Sequence, residues 1–286
     1  MKIIILLVSI ILGTASATAA DVDARYMQGL GDARYQKIES EIVGRGYHLY
    51  VMLPDGYESS ADTSYPTVYV LDGGGLFPLL ASYYRYLNVG EEIPDAIIVG
   101  ISYGSDTFEG GNYRSTDYTA KSDERDYWGG AEKFQSFLSA ELIPYIEKSY
   151  RSRPDRRIIL GQSIGGQFVL YTALTRPDLF WGHIASNPAL HRNLPFFLKN
   201  HSETGSGATQ SRLFVGHASM DEPEFRGPTL EWIKHWSASE DRPWQLKTMI
   251  LDGHSHMSAP PASFRQGMRW LFSPPQDALD EGHKHP

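Results

Sequence analysis

The first clearly patterned part of the chain alternates between apolar and polar residues. In residues 47–53 every second position is a tyrosine, leucine or valine, which is typical of a strand with one buried face. Residues 38–43 form a second such stretch, and the glycine-flanked Arg45 between the two predicts a turn. We therefore expect a strand pair here, preceded by a polar, weakly patterned arm over residues 21–36.

Later apolar runs predict strands that are covered on both faces of a sheet. They lie at residues 66–71 and 96–101, with further short strands predicted at 157–160, 183–186, 212–216 and 246–251. Apolar residues at three- and four-residue steps predict the intervening helices. These helices are residues 131–150, 164–175, 229–236 and 262–272, and Pro144 should kink or split the first of them.

Strands that alternate with helices predict an α/β fold with a mostly parallel, twisted sheet and helices on both of its faces. The strand pair at the start of the chain should form an antiparallel leading edge. No linker or change of composition divides residues 21–273, so we expect a single domain there. Residues 274–286 are charged and rich in proline and predict a flexible C-terminal tail.

Residues 1–20 have the features of a secretory signal peptide. Lys2 gives a positive start, an apolar run follows over residues 3–12, and small residues then offer cleavage after Ala17, Ala19 or Ala20. The apolar run is too short to span a bilayer. We therefore expect a cleaved leader, no membrane anchor after cleavage, and a periplasmic or secreted protein.

Composition and net charge argue against some classes of binding partner and covalent attachment. The 286 residues include no cysteine, which excludes disulfides and lipoprotein-type lipid attachment. Loss of Lys2 with the leader leaves 25 basic against 34 acidic residues, a formal charge of −9, and the sequence pI is about 5.7. This balance argues against a nucleic-acid partner or an anionic membrane surface, because both select basic faces.

A glycine-flanked serine lies between a predicted strand and a predicted helix. Ser163 stands between Gly161 and Gly165, with Gly166 next. A serine hydroxyl projects clear of the backbone only in a very tight turn, and glycines remove the side chains that would collide there. The alternative is a glycine-rich turn with an incidental serine. The strand before it and the helix after it favour a nucleophile elbow instead.

A serine nucleophile needs a histidine base and a carboxylate that orients this base. On such a sheet the acid precedes the histidine in the chain. His254 and His256 follow the last predicted strand, and Asp221 and Glu222 follow the strand before it. Physical reasoning does not choose within either pair. A metal-binding His-x-His pair and a pair of surface histidines are the alternatives for the histidine loop.

Ester hydrolysis also requires donors for an oxyanion. The backbone N–H of Ile164, directly after the serine, is one candidate. The glycine-rich residues 72–75 follow an earlier strand, and the N–H of Gly74 is the second candidate. A plain tight turn is the alternative for residues 72–75. No metal or other cofactor is required by this arrangement.

Several motifs give the chain a resemblance to a known family. They are Leu-Asp-Gly at residues 71–73, Arg-Ser-Thr-Asp-Tyr-Thr at 114–119, Glu-Leu-Ile-Pro-Tyr-Ile at 141–146, the serine motif at 161–166, Pro-Asp-Leu-Phe at 177–180 and His-Met-Ser at 256–258. Over residues 38–272 the chain resembles the esterase D-like ("putative esterase") branch of the α/β-hydrolases. That branch includes enterochelin-type siderophore esterases, S-formylglutathione hydrolases, feruloyl esterases and mycolyltransferases.

The resemblance implies a role for individual residues. Ser163 becomes the nucleophile, His256 the base, and Gly74 and Ile164 the oxyanion donors. His256 is preferred because the family's histidine is typically followed two residues later by serine, here Ser258.

The chain also departs from the family at two places. The family often has a glutamate three residues after the glycine that ends the acid strand, where this chain has Ser219. The acid is then Asp221 or Glu222, or a Ser–His dyad remains. Residues 189–192, which often contain tryptophan in relatives and border the pocket, read Ala-Leu-His-Arg here.

Residues 76–128 should contribute pocket walls, because they lie between the oxyanion loop and the first long helix. Ten aromatic residues and three arginines, including Tyr103 and Arg114, occur there. Aromatic faces suit flat acyl groups and arginines suit carboxylate or catecholate oxygens, although many of these residues could instead fill the core. The sequence thus predicts a serine esterase for a small-molecule aromatic or siderophore-type ester. An acyltransferase and a non-catalytic binding protein of the same fold are the alternatives.

Overall fold

The computed structural model describes residues 27–31, 33–123, 125–201 and 211–274. The predicted signal peptide at residues 1–20, residues 21–26 and 32 of the predicted arm, and all but the first residue of the predicted tail lie outside the described residues. In the part that is described, no helix is both long enough and apolar enough to span a membrane.

Within the described residues, eight strands form one sheet in the order β1-β2-β4-β3-β5-β6-β7-β8. The strands are β1 (Arg34–Ser40), β2 (Arg45–Met52), β3 (Tyr65–Val70), β4 (Ile97–Ser102), β5 (Ser152–Gln162), β6 (Gly182–Ser186), β7 (Arg212–Ala218) and β8 (Gln245–Leu251). β1 and β2 pair antiparallel, β2 joins β4 antiparallel, and all other neighbours are parallel. The predicted leading-edge hairpin and parallel sheet are therefore confirmed, but the bounds of the hairpin differ from the prediction. Its turn lies at residues 41–44, Arg45 belongs to β2, and β1 begins at Arg34, within the predicted arm.

Helices connect the parallel strands. They are α1 (Gly73–Val89), α2 (Arg114–Asp117), α3 (Ala131–Phe137), α4 (Ile143–Ser149), α5 (Ile164–Thr175), α6 (Leu194–Phe197), α7 (Pro223–Ala238) and α8 (Ala259–Leu271), with a short 3-10 turn at Gln28–Leu30. A π-helical turn at Leu138–Leu142 separates α3 from α4. The predicted break near Pro144 is confirmed, because proline has no N–H to continue the ordinary helical pattern.

The helices cover the sheet from both sides and enclose two large apolar cores. One core contains Phe134, Phe168 and Trp232, all fully buried, together with β-strand residues of the same face. The other contains Leu80 from α1 and Phe264 from α8. Burial on both faces explains the continuous apolar runs of β3 and β4, whose residues are all buried.

Helix α1 was not expected from the sequence. Its first turn consists of three glycines and Pro78 lies within it, and glycine and proline both have low helix propensity. Tertiary packing compensates, since Phe77, Leu80 and Tyr84 are buried against the sheet. One consequence is that the predicted oxyanion loop forms the beginning of a 17-residue helix.

Candidate active site

Ser163 occupies the turn between β5 and α5. Its backbone has φ 58° and ψ −117°, a left-handed conformation that is uncommon for a residue with a side chain. Its N–H donates to the carbonyl of Ser186 at 3.0 Å, and its own carbonyl accepts from Gln167 at 2.9 Å and Ala189 at 3.0 Å. These bonds hold the turn in its strained form.

The glycines around Ser163 are required by close backbone contacts. A Cβ added at Gly161 would collide with the carbonyl of Gly165 on the other arm of the turn. A Cβ at Gly166 would lie 2.9 Å from the carbonyl oxygen of Ser186. The strand, the turn and the helix thus form the predicted elbow, with glycines where side chains would prevent it.

His256 lies in the loop between β8 and α8, and its ring is held from one side by a carboxylate. Its Nδ1 is 2.9 Å from Oδ2 of Asp221, and the Asp221 side chain is only 4% exposed. Its backbone carbonyl accepts from Gln162 at 2.7 Å and from Asn187 at 3.2 Å. The His256 loop is therefore hydrogen-bonded to Gln162, the residue that precedes Ser163.

The two alternatives left open by the sequence take different positions. Glu222 is exposed and stands directly before α7, where its N–H donates to Oδ1 of Asp221 at 2.9 Å. His254 has its Nδ1 3.1 Å from the carbonyl oxygen of Ser258, within its own loop. The structure thus brings His256 and Asp221 together, while Glu222 and His254 lie outside this contact.

Gly74 lies in the first turn of α1, next to the end of β4. A Cβ at Gly74 would come 2.8 Å from Oγ of Ser102, and one at Gly73 would come 2.5 Å from the backbone nitrogen of Ile101. The first N–H groups of a helix have no acceptor within that helix. The first turns of α1 and α5, which contain Gly74 and Ile164, therefore carry N–H groups of the kind that bind an oxyanion.

Part of this site opens into one cavity of about 560 Å³. Ser163, His256 and Gly74 line it, together with the two residues predicted to contact substrate, Arg114 and Tyr103. The wall also contains residues from β2, from the end of β4 and from the loops after β4 and β8, namely Tyr50, Ser102, Asn112 and Met257.

The polar side-chain atoms of Arg114 and Tyr103 form hydrogen bonds within the protein. Arg114 donates to Asp72 from Nε and Nη2, each at 2.8 Å. Burial would lower the pKa of Arg114, but the hydrogen bonds and charge of Asp72 outweigh it and raise that pKa above its usual value. The Tyr103 hydroxyl donates to Oδ2 of Asp117 at 3.0 Å, and burial raises its pKa well above the usual value. Direct contact of either residue with a substrate stays a prediction.

Most of the aromatic residues in residues 76–128 do not face the cavity. Phe77, Tyr84 and Tyr118 are buried in the core, whereas Tyr86 is 77% exposed. Among the described residues of this segment, Tyr103 is the aromatic residue that lines the cavity. The aromatic residues of this segment therefore serve mainly to pack the protein, and their number does not indicate a substrate preference.

Sequence reasoning missed three residues that build the site. Asn187, in a left-handed conformation at the end of β6, accepts from the N–H of Ala218 at 2.7 Å and donates to the His256 carbonyl. Gln162 holds the same carbonyl. Asp72 pairs with Arg114. The Leu-Asp-Gly at 71–73 is visible as a motif, but the hydrogen-bond partners of all three residues are distant in sequence.

The described residues contain no group of three or more His, Asp or Glu side chains arranged to hold a metal ion. The imidazole of His256 is instead held by a carboxylate, as in a serine hydrolase.

Comparison with solved structures identifies the fold. The BES protein from Bacillus cereus superposes with a TM-score of 0.73 at 22% identity, over 85% of this chain and 96% of that chain. The siderophore hydrolase EstB from Aspergillus nidulans superposes with a TM-score of 0.74 at 18% identity, over 86% and 98% of the two chains. The fold is that of the α/β-hydrolases, as the sequence predicted.

Curated relatives match about half of the chain at higher sequence identity. The ferri-bacillibactin esterase BesA of Bacillus subtilis (strain 168) is 36% identical over 168 residues, which are 54% of this chain and 57% of BesA. The apo-salmochelin esterase of Escherichia coli O6:H1 is 26% identical over 158 residues, 52% of this chain and 48% of that protein. The chain thus matches about half the length of these curated relatives. The family model described as "Putative esterase" matches residues 40–259, and by this match over most of its length the chain belongs to that esterase family.

Proposed function

We propose that this protein is a serine hydrolase that cleaves carboxylic esters through an acyl-enzyme intermediate. The observation that carries the proposal is the 2.9 Å contact between Nδ1 of His256 and the buried Asp221 side chain, since His256 lines the same cavity as Ser163. Membership in an esterase family supports the same reaction.

In the proposed reaction, Ser163 Oγ attacks the ester carbonyl carbon while Nε2 of His256 accepts the hydroxyl proton. Asp221 holds the proton of Nδ1, which fixes the tautomer and stabilises the imidazolium. The N–H groups of Gly74 and Ile164 bind the oxyanion of the tetrahedral intermediate. Collapse breaks the C–O bond, and His256 returns the proton to the leaving alcohol.

The second half of the proposed reaction regenerates the enzyme. A water molecule gives its proton to His256 and attacks the acyl carbon of the Ser163 ester. The second tetrahedral intermediate then releases the carboxylic acid, and Ser163 recovers its proton. No cofactor takes part in any step.

For the substrate we propose an aromatic or siderophore-type ester. Two curated relatives are named for the siderophores ferri-bacillibactin and salmochelin. The cavity of about 560 Å³ is large enough for a drug-sized molecule, and the rings of Tyr50 and Tyr103 in its wall suit flat groups.

The test is kcat/KM on a panel of short p-nitrophenyl esters, long-chain esters, feruloyl esters and a trilactone siderophore. We expect hydrolysis of the short esters and a preference for the aromatic or siderophore esters. Preference for acyl chains of lipid length would contradict the proposed substrate class. Faster transfer of the acyl group to an added alcohol than to water would instead identify an acyltransferase.

We further propose that the protein is exported and that a signal peptide within residues 1–20, a segment outside the described residues, is removed. The charged start, apolar run and small residues of that segment support cleavage after Ala17, Ala19 or Ala20. N-terminal sequencing of protein recovered outside the cytoplasm tests this, and a product that still begins at Met1 would contradict it.

A further inference from the structure

Asp72 stands directly before α1 in a left-handed backbone conformation, with φ 53° and ψ 39°. An aspartate at this position commonly turns its carboxylate onto the N–H groups of the first helical turn. Asp72 makes no such capping hydrogen bond. The first turn of α1 contains Gly74, whose N–H is the proposed oxyanion donor. A capping carboxylate would therefore occupy the oxyanion site.

The carboxylate of Asp72 is held elsewhere by Arg114. Nε of Arg114 donates to Oδ1 and Nη2 to Oδ2, both at 2.8 Å, in the bidentate geometry that fixes a carboxylate most firmly. Arg114 begins α2, and the other end of α2 is anchored as well. There the buried Asp117 accepts from Arg45 and from Tyr47, each at 2.7 Å.

The Asp72 carboxylate also lies close to the nucleophile elbow. A Cβ added at Gly165, two residues after Ser163, would come within 3.2 Å of Oδ2 of Asp72. The side chains of Asp72 and Arg114 are 20% and 29% exposed, so water screens their charges only in part. Without a partner, Asp72 would place a negative charge beside the position where the oxyanion develops.

We propose that Arg114 is a positioning residue that holds the Asp72 carboxylate away from the first turn of α1 and neutralises its charge. The N–H of Gly74 then remains available to the oxyanion. This inference rests on the proposed ester hydrolysis. Arg114 acts through Asp72, so its loss should be relieved by removing the carboxylate that it restrains.

The test compares Arg114→Gln with the double variant Arg114→Gln/Asp72→Gly on a short, neutral p-nitrophenyl ester. We expect Arg114→Gln to lower kcat by roughly 10- to 100-fold, somewhat less than the loss of a whole oxyanion donor, while KM changes by less than about threefold. Glycine adopts the left-handed conformation of residue 72 without strain. Asp72→Gly in the Arg114→Gln background should therefore recover most of the lost kcat.

Arg176→Gln is the matched control, because Arg176 also forms a two-bond ion pair, with Asp178, on the surface. Its kcat should stay within about twofold of the wild type. Thermal unfolding of every variant checks the fold. If Arg114→Gln does not fold, Arg114→Lys replaces it, with a smaller loss that Asp72→Gly should again relieve.

Two results would overturn the inference. One is a loss of kcat that persists unchanged after Asp72→Gly in a folded double variant. The other is a raised KM with unchanged kcat, which would mean that Arg114 binds substrate directly. The proposed function is tested separately, by ester turnover in the wild type and by the loss of this turnover in Ser163→Ala. An active wild type without coupling between residues 72 and 114 refutes this inference alone, whereas a wild type that hydrolyses no ester refutes both.

Discussion

Ser163 and His256 carry the reaction in this account, and each is fixed by the backbone around it. The left-handed conformation of Ser163 costs about 1–3 kcal/mol in a non-glycine residue. Hydrogen bonds to Ser186, Gln167 and Ala189 hold it, and the glycines on both sides leave room for it. A strained residue that its surroundings hold in place is typical of a functional site.

Ser163→Ala and His256→Ala should each lower kcat by roughly 10⁴- to 10⁶-fold, because nucleophile and base act as a unit. Both variants should remain folded, as judged by circular dichroism. His254→Ala is the matched control for the histidine loop, and it should cost less than about tenfold, since His254 bonds within its own loop. If His254→Ala is the more damaging histidine variant, the assignment of the base is wrong.

Asp221→Asn should lower kcat by roughly 10² to 10⁴, because the amide no longer fixes the tautomer of His256. Glu222→Gln alters the neighbouring, exposed carboxylate and should leave kcat within about twofold. Steady-state kinetics on one ester measures both. Equal, near-wild-type rates in the two variants would instead favour a Ser–His dyad.

Helix α1 is the element whose placement most affects the site, since its first turn carries Gly74. Gly73→Ala should destabilise the fold by about 1–3 kcal/mol and lower kcat, because the added Cβ would meet the backbone of Ile101 and push the turn away from β4. Gly75→Ala is the control, since a Cβ there meets nothing within 4 Å. Urea unfolding measures the two stabilities, and equal stabilities would contradict this view of the packing.

Elements with a regular pattern were predictable from the sequence, and those held by distant contacts were not. The alternating β2 and the apolar β3 and β4 follow from periodicity, and the proline at 144 marks the helix break. Helix α1 contains three glycines and a proline, residues with low helix propensity. It forms because Phe77 and Leu80 are buried against the sheet.

The same limit applies to the site residues. The motif around Ser163 indicated its role because the residues that shape the turn are adjacent in sequence. Asp221 could not be separated from Glu222, since only the folded chain shows which carboxylate reaches His256, 35 residues away. The Arg114–Asp72 pair joins residues 42 apart, and no local pattern reports it.

The molecule as a whole should lose stability in acid, partly because of His183 in strand β6. Burial lowers the pKa of this completely buried histidine from 6.5 to about 3. Between these two pH values the unfolded chain binds a proton that the folded chain excludes, so stability falls as pH falls below about 6.5. From pH 7 to pH 5 this one residue should cost about 2 kcal/mol.

His183→Leu removes that titration while keeping a side chain of similar volume. Between pH 7 and pH 5 the free energy of unfolding should fall in both proteins. The decrease in the variant should be about 2 kcal/mol smaller than the decrease in the wild type. Denaturant titrations at the two pH values provide the comparison. Parallel losses in both proteins would show that His183 is not neutral and buried in the folded state.

In the proposed mechanism, Ser163 is a nucleophile activated by His256 and Asp221. The most direct test is reaction of the folded protein with a fluorophosphonate, followed by mass spectrometry of its peptides. We expect one phosphonyl group on Ser163, no labelling in Ser163→Ala, and labelling slowed by at least about 10²-fold in His256→Ala. Labelling at another residue, or a folded wild-type protein that neither reacts with the probe nor hydrolyses a short ester, would contradict the account.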